Sequence, residues 1–331
     1  MLILIPVGMA LNLAISFIFT DTSYFLKIQY FSVGYFSIAV LLSLIPWFTR
    51  AFRLLNWMHF LRQPFGFLES MRVIITCELG AAISPTALGG GPVKAGYLIN
   101  KGLPVGEAAS VMSLTSVEDL TFFAIGVPIA FALTPAIHIP VIGRNLDQIF
   151  IKAGWILGII LGLVILVFIA DYFYGHLNFF RKMKRKLAEY WEDFKGLYQF
   201  IARKGKLRFV VNVILAGIQW TAYYMVVVAL IHSLGIQVDP VKYFILQWVV
   251  FTLMTLIPTP GATGGAETSF LIIYSGIIPH KIIGLIMIGW RFLTFYFLNT
   301  FAILLLSIGG FVRKLGTKSA NLSENSTDLR E

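Results

Sequence analysis

Charge, cysteine and metal-ligand spacing are what this sequence has least of. Of its 331 residues 13% are charged, and Cys77 is the one cysteine. A soluble globular chain carries about 25% charged residues, so this composition excludes a water-soluble enzyme and a charge-rich disordered chain. A single thiol makes no internal disulfide, which excludes a disulfide scaffold and leaves compartment unread. The histidines (His59, His138, His176, His232 and His280) are scattered without the spacing of a metal centre. No Ser/His/Asp set falls inside the apolar stretches, so no catalytic residue, metal or cofactor is assigned. What fills the chain is apolar: 58% hydrophobic and 15% aromatic residues, with a mean hydropathy of +0.82. The solvent that fits is the bilayer.

A helix needs roughly 20 apolar residues to cross a hydrocarbon core. Six stretches qualify, at about 2–20, 30–48, 110–134, 152–172, 209–231 and 283–309. Two further apolar regions, 71–101 and 241–281, are interrupted by Ser84-Pro85-Thr86-Ala87-Leu88-Gly89-Gly90-Gly91-Pro92 and by Ile257-Pro258-Thr259-Pro260-Gly261-Ala262-Thr263-Gly264-Gly265. Proline lacks an N–H and clashes with the preceding turn, so neither region is a continuous helix. Broken backbone at membrane depth survives only where protein or a wet cavity shelters it. The expected fold is therefore an all-α polytopic membrane protein: about six spanning helices plus two broken, re-entrant hairpins. Region 241–281 could instead make two short crossings. The first stretch lacks a basic leader and reads as a retained helix.

The net charge of +10 could suggest nucleic acid, but its placement does not. Residues 49–63 hold Arg50, Arg53 and Arg62, and residues 173–208 hold ten Lys and Arg. Residues 21–29, 135–151 and 232–242 hold only Lys27, Arg144 and Lys242. Lys and Arg favour the cytoplasmic side of short loops, which places both termini and the 173–208 loop inside. The segment with Arg53, Trp57 and Arg62 reads as an interfacial helix whose arginines snorkel toward headgroups. The expected partners are membrane lipids and no nucleic acid, with a homo-oligomer left open.

Sliding the chain along itself until Pro85 meets Pro258 lays one broken region on the other. Pro85-Thr86 then falls on Pro258-Thr259, Gly91 on Gly264, Lys94 on Glu267, and Glu118-Asp119-Leu120-Thr121-Phe122 on Arg291-Phe292-Leu293-Thr294-Phe295. The halves, about 1–134 and 152–309, thus read as a repeat, and opposite sides of access make it inverted. Inverted repeats with discontinuous helices occur in many secondary transporters, with their sites at the repeat interface. Lys94 and Glu118 have the same separation along the chain as Glu267 and Arg291, with signs exchanged. Charges inside spans are expensive, so these four are expected around one polar cavity and paired across the halves. Two readings stay open: ion pairs that hold the halves together, or a chamber for a charged headgroup.

The glycines admit two readings as well. Gly90 and Gly91 precede an apparent half-helix near Val93, and Gly264 and Gly265 precede one near Ala266. Free N–H groups there would bind phosphate or carboxylate, aided by the dipole. Lys94 would add a positive point charge, while Glu267 would compete for those N–H groups or capture a cation. Alternatively the glycines only permit tight turns. Glu78 reads as a second polar contact or as an acid satisfied in the core, and Asp119 has no charged counterpart in the repeat. The candidate cavity residues are Lys94, Glu118, Glu267, Arg291, Gly90, Gly91, Gly264, Gly265, Thr86, Thr259 and Glu78.

Both proline–glycine segments, each with its following Lys94 or Glu267, resemble the transmembrane region of lysylphosphatidylglycerol synthases. Arg50 and Arg53 before Trp57 resemble that family's early arginine motif, and the similarity covers about residues 1–315. It implies one flippase-like domain over 1–315, followed by a polar cytoplasmic tail over 316–331, expected to be disordered. Such a domain moves lipids or polyprenyl-phosphate-linked sugars between leaflets of a prokaryotic inner membrane. Gly91, Lys94, Glu118, Glu267 and Arg291 carry over as site residues by matching position. Full-length synthases append a soluble aminoacyl-transferase domain. No non-membrane stretch here exceeds about 36 residues, so lysyl transfer is not expected of this chain. The rival classes are an intramembrane enzyme acting on a lipid-linked substrate and a non-transporting scaffold subunit.

Overall fold

The structure, a computed structural model, describes residues 31–84, 89–134, 178–255, 259 and 261–308. The apolar stretches 2–20 and 152–172, the tail, and Thr86 lie outside the described residues. The described residues are helical throughout: α1 (Val33–Phe60), α2 (Phe67–Ile83), α3 (Gly90–Asn100), α4 (Val105–Leu133), α5 (Asn178–Lys204), α6 (Lys206–Ser233), α7 (Pro240–Thr255), α8 (Gly265–Tyr274) and α9 (His280–Ile308). By length and composition α1, α4, α6 and α9 are long and apolar enough to cross a membrane. Each has 28 or 29 residues, about 42 Å at 1.5 Å per residue. Large apolar side chains stand exposed along them, among them Leu41, Ile125, Ile129, Ile214, Ile218 and Leu304. A surface of this kind is a liability in water and an asset in lipid. The chain is an all-α polytopic membrane protein.

Each Pro/Gly-interrupted region forms two short helices. The limbs have 17 and 11 residues in the first pair (α2, α3) and 16 and 10 in the second (α7, α8). At about 15 to 26 Å, none reaches across a core about 30 Å thick. The helices expected near Val93 and Ala266 begin earlier, at Gly90 and Gly265. The order long helix, two short helices, long helix occurs twice among the described residues. The shift that carries Pro85 onto Pro258 also carries Val33, the start of α1, onto Lys206, the start of α6. It carries Phe67 of α2 onto Pro240 of α7, and brings the starts of α3 and α4 nearly onto those of α8 and α9.

Two segments differ from the sequence expectation. The arginines at 50 and 53 belong to no interfacial helix: α1 runs unbroken to Phe60, and Arg53 is 2% exposed. They therefore leave the loop charge count. Flanking polarity suggested an interface, but a partner elsewhere in the chain keeps the guanidinium inside. The basic 173–208 segment contains a 27-residue helix, α5. Leu197 and Ile201 pack it against the protein, while Trp191 and Tyr190 face outward. A Cβ on Gly106 would lie 2.4 Å from the Tyr190 carbonyl oxygen, so α4 and α5 approach only because that residue is glycine.

At one end the residues closing α1, opening α4 and ending α5 (Phe60, Arg62, Pro104, Glu107, Gly196, Lys204) line a single depression of about 640 Å³. At another point the N–H of Ser32, before α1, donates to the carbonyl of Ser233, the last residue of α6, at 2.8 Å. The two interrupted pairs touch tip to tip. The Gly261 N–H donates to the Ser84 carbonyl at 3.3 Å, and the Ser84 hydroxyl accepts from the Gly89 N–H at 2.6 Å. Helix ends leave backbone groups unpaired, and each tip here satisfies groups of its own or of its counterpart.

Gly261 sits at φ +59°, and a Cβ there would lie 2.5 Å from the Phe295 ring and 3.0 Å from the Ala82 carbonyl oxygen. Gly261→Ala is expected to cost about 2–4 kcal/mol through overpacking and left-handed strain. Gly96→Ala meets nothing within 4 Å and should hold or raise stability by up to about 1 kcal/mol. Thermal melting of both variants in mild detergent checks the contrast; equal melting points would remove the tip contact from the fold.

Candidate functional site

Two buried charge clusters lie on either side of the tip contact. The first is built on Arg53, whose guanidinium presents donors in a fixed fork. Its Nε donates to Glu118 Oε2 at 2.8 Å, its Nη2 to the Thr115 carbonyl at 2.8 Å, and its Nη1 to Gln219 Oε1 at 2.9 Å. Nη2 also lies 2.8 Å from Glu118 Oε2. The other Glu118 oxygen accepts from Trp57 Nε1 at 2.6 Å and from Asn212 Nδ2 at 2.9 Å. Glu118 is 1% exposed, so α1, α4 and α6 are joined through one desolvated carboxylate. Asp119 Oδ1 lies 2.8 Å from Arg53 Nη1, but no donor is aligned on it as a hydrogen bond.

Beside this cluster, Lys94 on α3 reaches into the protein and donates from Nζ to Thr115 Oγ1 at 2.9 Å. Lys94 is the fifth residue of α3, one turn further in than its place after the glycines suggested. Arg50 pairs with Glu78 on α2, both side chains partly exposed. Gly90 packs against α2, where its Cβ would lie 3.0 Å from the Cys77 carbonyl oxygen; Gly91 would meet the Met112 sulfur at 3.1 Å. Close packing therefore accounts for both glycines. Their N–H groups, at the first two positions of α3, precede the helix's own hydrogen bonds.

The second cluster is tighter. Gly264 has φ +82°, a conformation that glycine adopts freely, and this turn aims its N–H at Glu267 Oε2, 2.7 Å away. Gly265 then opens α8. The other Glu267 oxygen accepts from Arg291 Nε at 2.9 Å, and Arg291 Nη2 reaches the Gly261 carbonyl at 3.3 Å. The guanidinium lies 4.6 Å from the Phe295 ring centre, a cation–π distance. Just after Arg291 the helix loosens into a π-turn, Phe292–Tyr296. Thr259, next to this tip, has a buried hydroxyl with no hydrogen-bond partner among the described residues.

The expected pairing across the halves is corrected. Glu267 pairs with Arg291, further along the same half, and Glu118 pairs with Arg53, also in its own half. The physical reason is the fork: Arg53 offers two nitrogens to one carboxylate, where the Lys94 ammonium offers a point charge. Asn212, Gln219 and Trp57 were not foreseen as site residues. The spacing of Arg50, Arg53 and Trp57 at i, i+3 and i+7 puts these three on one helix face, a signal that points to Trp57 but not to Asn212 or Gln219 on α6.

Removing one partner of a buried pair strands the other charge, at a cost of about 3–5 kcal/mol, while replacing both partners costs far less. Arg291→Met is therefore expected to melt well below the parent protein, and Arg291→Met with Glu267→Gln to recover most of the loss. The same contrast is expected for Arg53→Met alone and with Glu118→Gln. Denaturation in detergent reads both double-mutant cycles; additive losses would mean the charges are not coupled.

Residues 3–302 match the family described as the lysylphosphatidylglycerol synthase TM region. Over 279 residues the chain is 24% identical to a UPF0104 membrane protein of Archaeoglobus fulgidus, covering 78% of this chain and 81% of that protein. With nearly its whole length matched, the chain belongs to the lysylphosphatidylglycerol synthase transmembrane-region family.

Proposed function

We propose that this protein moves a charged lipid between the leaflets of the cytoplasmic membrane, taking the headgroup at Lys94 and the N-terminus of α3. Phospholipids, aminoacyl-phospholipids and polyprenyl-phosphate-linked sugars all carry the phosphate this site would hold. The observation that carries the reading is an unequal pair of tips. At α8 the helix N-terminus is occupied by the chain's own Glu267, which is held in turn by Arg291. At α3 the matching position is Lys94, which donates to a neutral hydroxyl, that of Thr115. Helix N-terminal N–H groups and an ammonium together suit a phosphate.

Alternating exposure of that site follows from an inverted repeat. Two findings support the inversion: the matched spacing of the elements, and the Ser32–Ser233 contact, set apart from the depression at Phe60, Pro104 and Lys204. In this reading α5 lies along the cytoplasmic headgroup layer. Its Lys195 stands over Trp191 at 6.0 Å and Lys204 over Phe200 at 5.6 Å, a mix of cations and aromatic rings suited to an anionic surface. Both termini are cytoplasmic, and residues 1–315 act as one domain.

Lys94→Met is expected to keep its melting temperature within a few degrees, because no carboxylate contact is lost. It should slow translocation of a fluorescent phosphatidylglycerol in proteoliposomes about 10- to 100-fold, the usual worth of a hydrogen bond to a charged group. A fully active variant would make the lysine architectural. Covalent turnover of the lipid by purified protein would favour an enzyme instead.

For sidedness, cysteines at Gln237 and Lys204, both exposed, are placed in a Cys77→Ala background. An impermeant thiol reagent should label position 237 and spare position 204 in intact cells. The reverse pattern turns the topology over.

A further inference from the structure

The pair of Arg50 with Glu78 stands apart from the clusters that hold the helices together. Its side chains are 29% and 22% exposed, against 2% and 1% for Arg53 and Glu118. A pair open to water is held less firmly than a buried one, since solvent competes for both partners. Nor does packing demand charge at this place. The shift that carries Pro85 onto Pro258 carries Arg50 onto Tyr223 and Glu78 onto Phe251. In the second half those two rings meet with their centres 5.2 Å apart. The contact between a long helix and the first short one is thus made by rings in one half and by charge in the other. The half with the rings has its tip filled by Glu267, and the half with the ion pair has Lys94 instead.

Two routes of contact lead from Arg50 to Lys94. Arg50 shares a face of α1 with Arg53, whose Nη2 takes the Thr115 carbonyl, while Lys94 Nζ takes the hydroxyl of the same threonine. On the other side Glu78 follows Cys77, whose carbonyl oxygen packs on Gly90, one helical turn before Lys94. Lys94 and Arg50 lie close enough to feel each other's charge, and the Cys77 thiol feels both.

We infer that Arg50 is the second cation of the headgroup site and that Glu78 is its resident anion, displaced when a lipid phosphate binds. This rests on the lipid-translocation reading above and states how its site opens. In the empty protein Glu78 occupies Arg50. An arriving phosphodiester engages the Lys94 ammonium and the Arg50 guanidinium together, whose planar fork matches two phosphate oxygens. Glu78 then turns to the water it already meets. Exchange of this kind is closed to the second half, where Glu267 and Arg291 are 1% and 4% exposed. Selectivity follows as well: a headgroup that brings no anion leaves Arg50 on Glu78.

The test titrates dioctanoylphosphatidylglycerol into the full chain in detergent, with phosphate-free dioctanoylglycerol as control. Glu78→Gln removes the competitor and should bind the phospholipid about tenfold tighter than the parent, the worth of one hydrogen bond to a charged group. Adding Arg50→Met to Glu78→Gln should abolish that gain, and adding Arg50→Lys instead should retain most of it. The control lipid should show no gain in any variant. An architectural pair predicts the opposite order, with Glu78→Gln binding no tighter than the parent; that result, or Arg50→Met leaving the gain intact, overturns the inference. Should these variants not fold, the parent's Cys77 decides. Saturating phospholipid should slow its alkylation by N-ethylmaleimide and the control lipid should not; equal rates with and without phospholipid overturn the inference. Fluorescent phosphatidylglycerol that crosses proteoliposomes without the expected binding order defeats the exchange and spares the translocation reading. The expected order with no lipid movement does the reverse.

Discussion

A carboxylate surrounded by apolar helices must find donors within the protein, and Glu118 finds them on three sides. Arg53 and Trp57 reach it from α1, Asn212 from α6, and it belongs itself to α4. Helices in lipid gain little from the hydrophobic effect against one another, because lipid tails are as apolar as leucine. Packing and interior polar contacts have to hold them. The Arg53–Glu118 cluster performs that task among α1, α4 and α6, and Glu267 with Arg291 performs it between α8 and α9. Because each guanidinium has several partners in fixed directions, these clusters set helix rotation as well as proximity.

The same constraint governs the interrupted segments. A chain that stops being helical at depth exposes N–H and C=O groups that hydrocarbon cannot satisfy. Bringing the tips together lets Gly261 donate to Ser84 and lets Arg291 cover the Gly261 carbonyl. That meeting requires glycine at 261, since a side chain would strike Phe295 and the backbone at Ala82. Charge and glycine therefore belong to one device: the arginine that pairs with Glu267 also closes the backbone the break leaves open.

Much of this was legible in the sequence, because the bilayer imposes a length and a period. The stretches at 30–48, 110–134, 209–231 and 283–309 correspond to α1, α4, α6 and α9, and the Pro/Gly clusters mark the interruptions. The stretches at 2–20 and 152–172 lie outside the described residues. The equal spacing of acid and base marked Glu267 and Arg291 as interior charges but led to an expected pairing across the halves, whereas they pair with each other. Glu118 is taken by Arg53, which sits far off in sequence on another helix. Local sequence carries no information about such a partner. Charge at the end of an apolar run looks the same whether it snorkels outward or turns in, and only the face shared with Trp57 separates the two.

The corresponding tips then show how one backbone device serves two ends. A helix N-terminus beneath a glycine turn attracts an anion wherever it is built, and both halves build one. Filling it with Glu267 makes the second tip self-contained: carboxylate, backbone donor and arginine satisfy one another, and the π-turn after Arg291 gives the guanidinium room to lie over Phe295. The first tip reverses the sign. Lys94 repels a second cation, and Glu118 is already engaged by Arg53. An anion from outside the chain would complete at α3 the arrangement that Glu267 completes at α8. The second half thereby displays, in covalent form, the geometry of the complex proposed for the first. That asymmetry, more than the number of charges, is what a purely architectural role for Lys94 leaves without a cause.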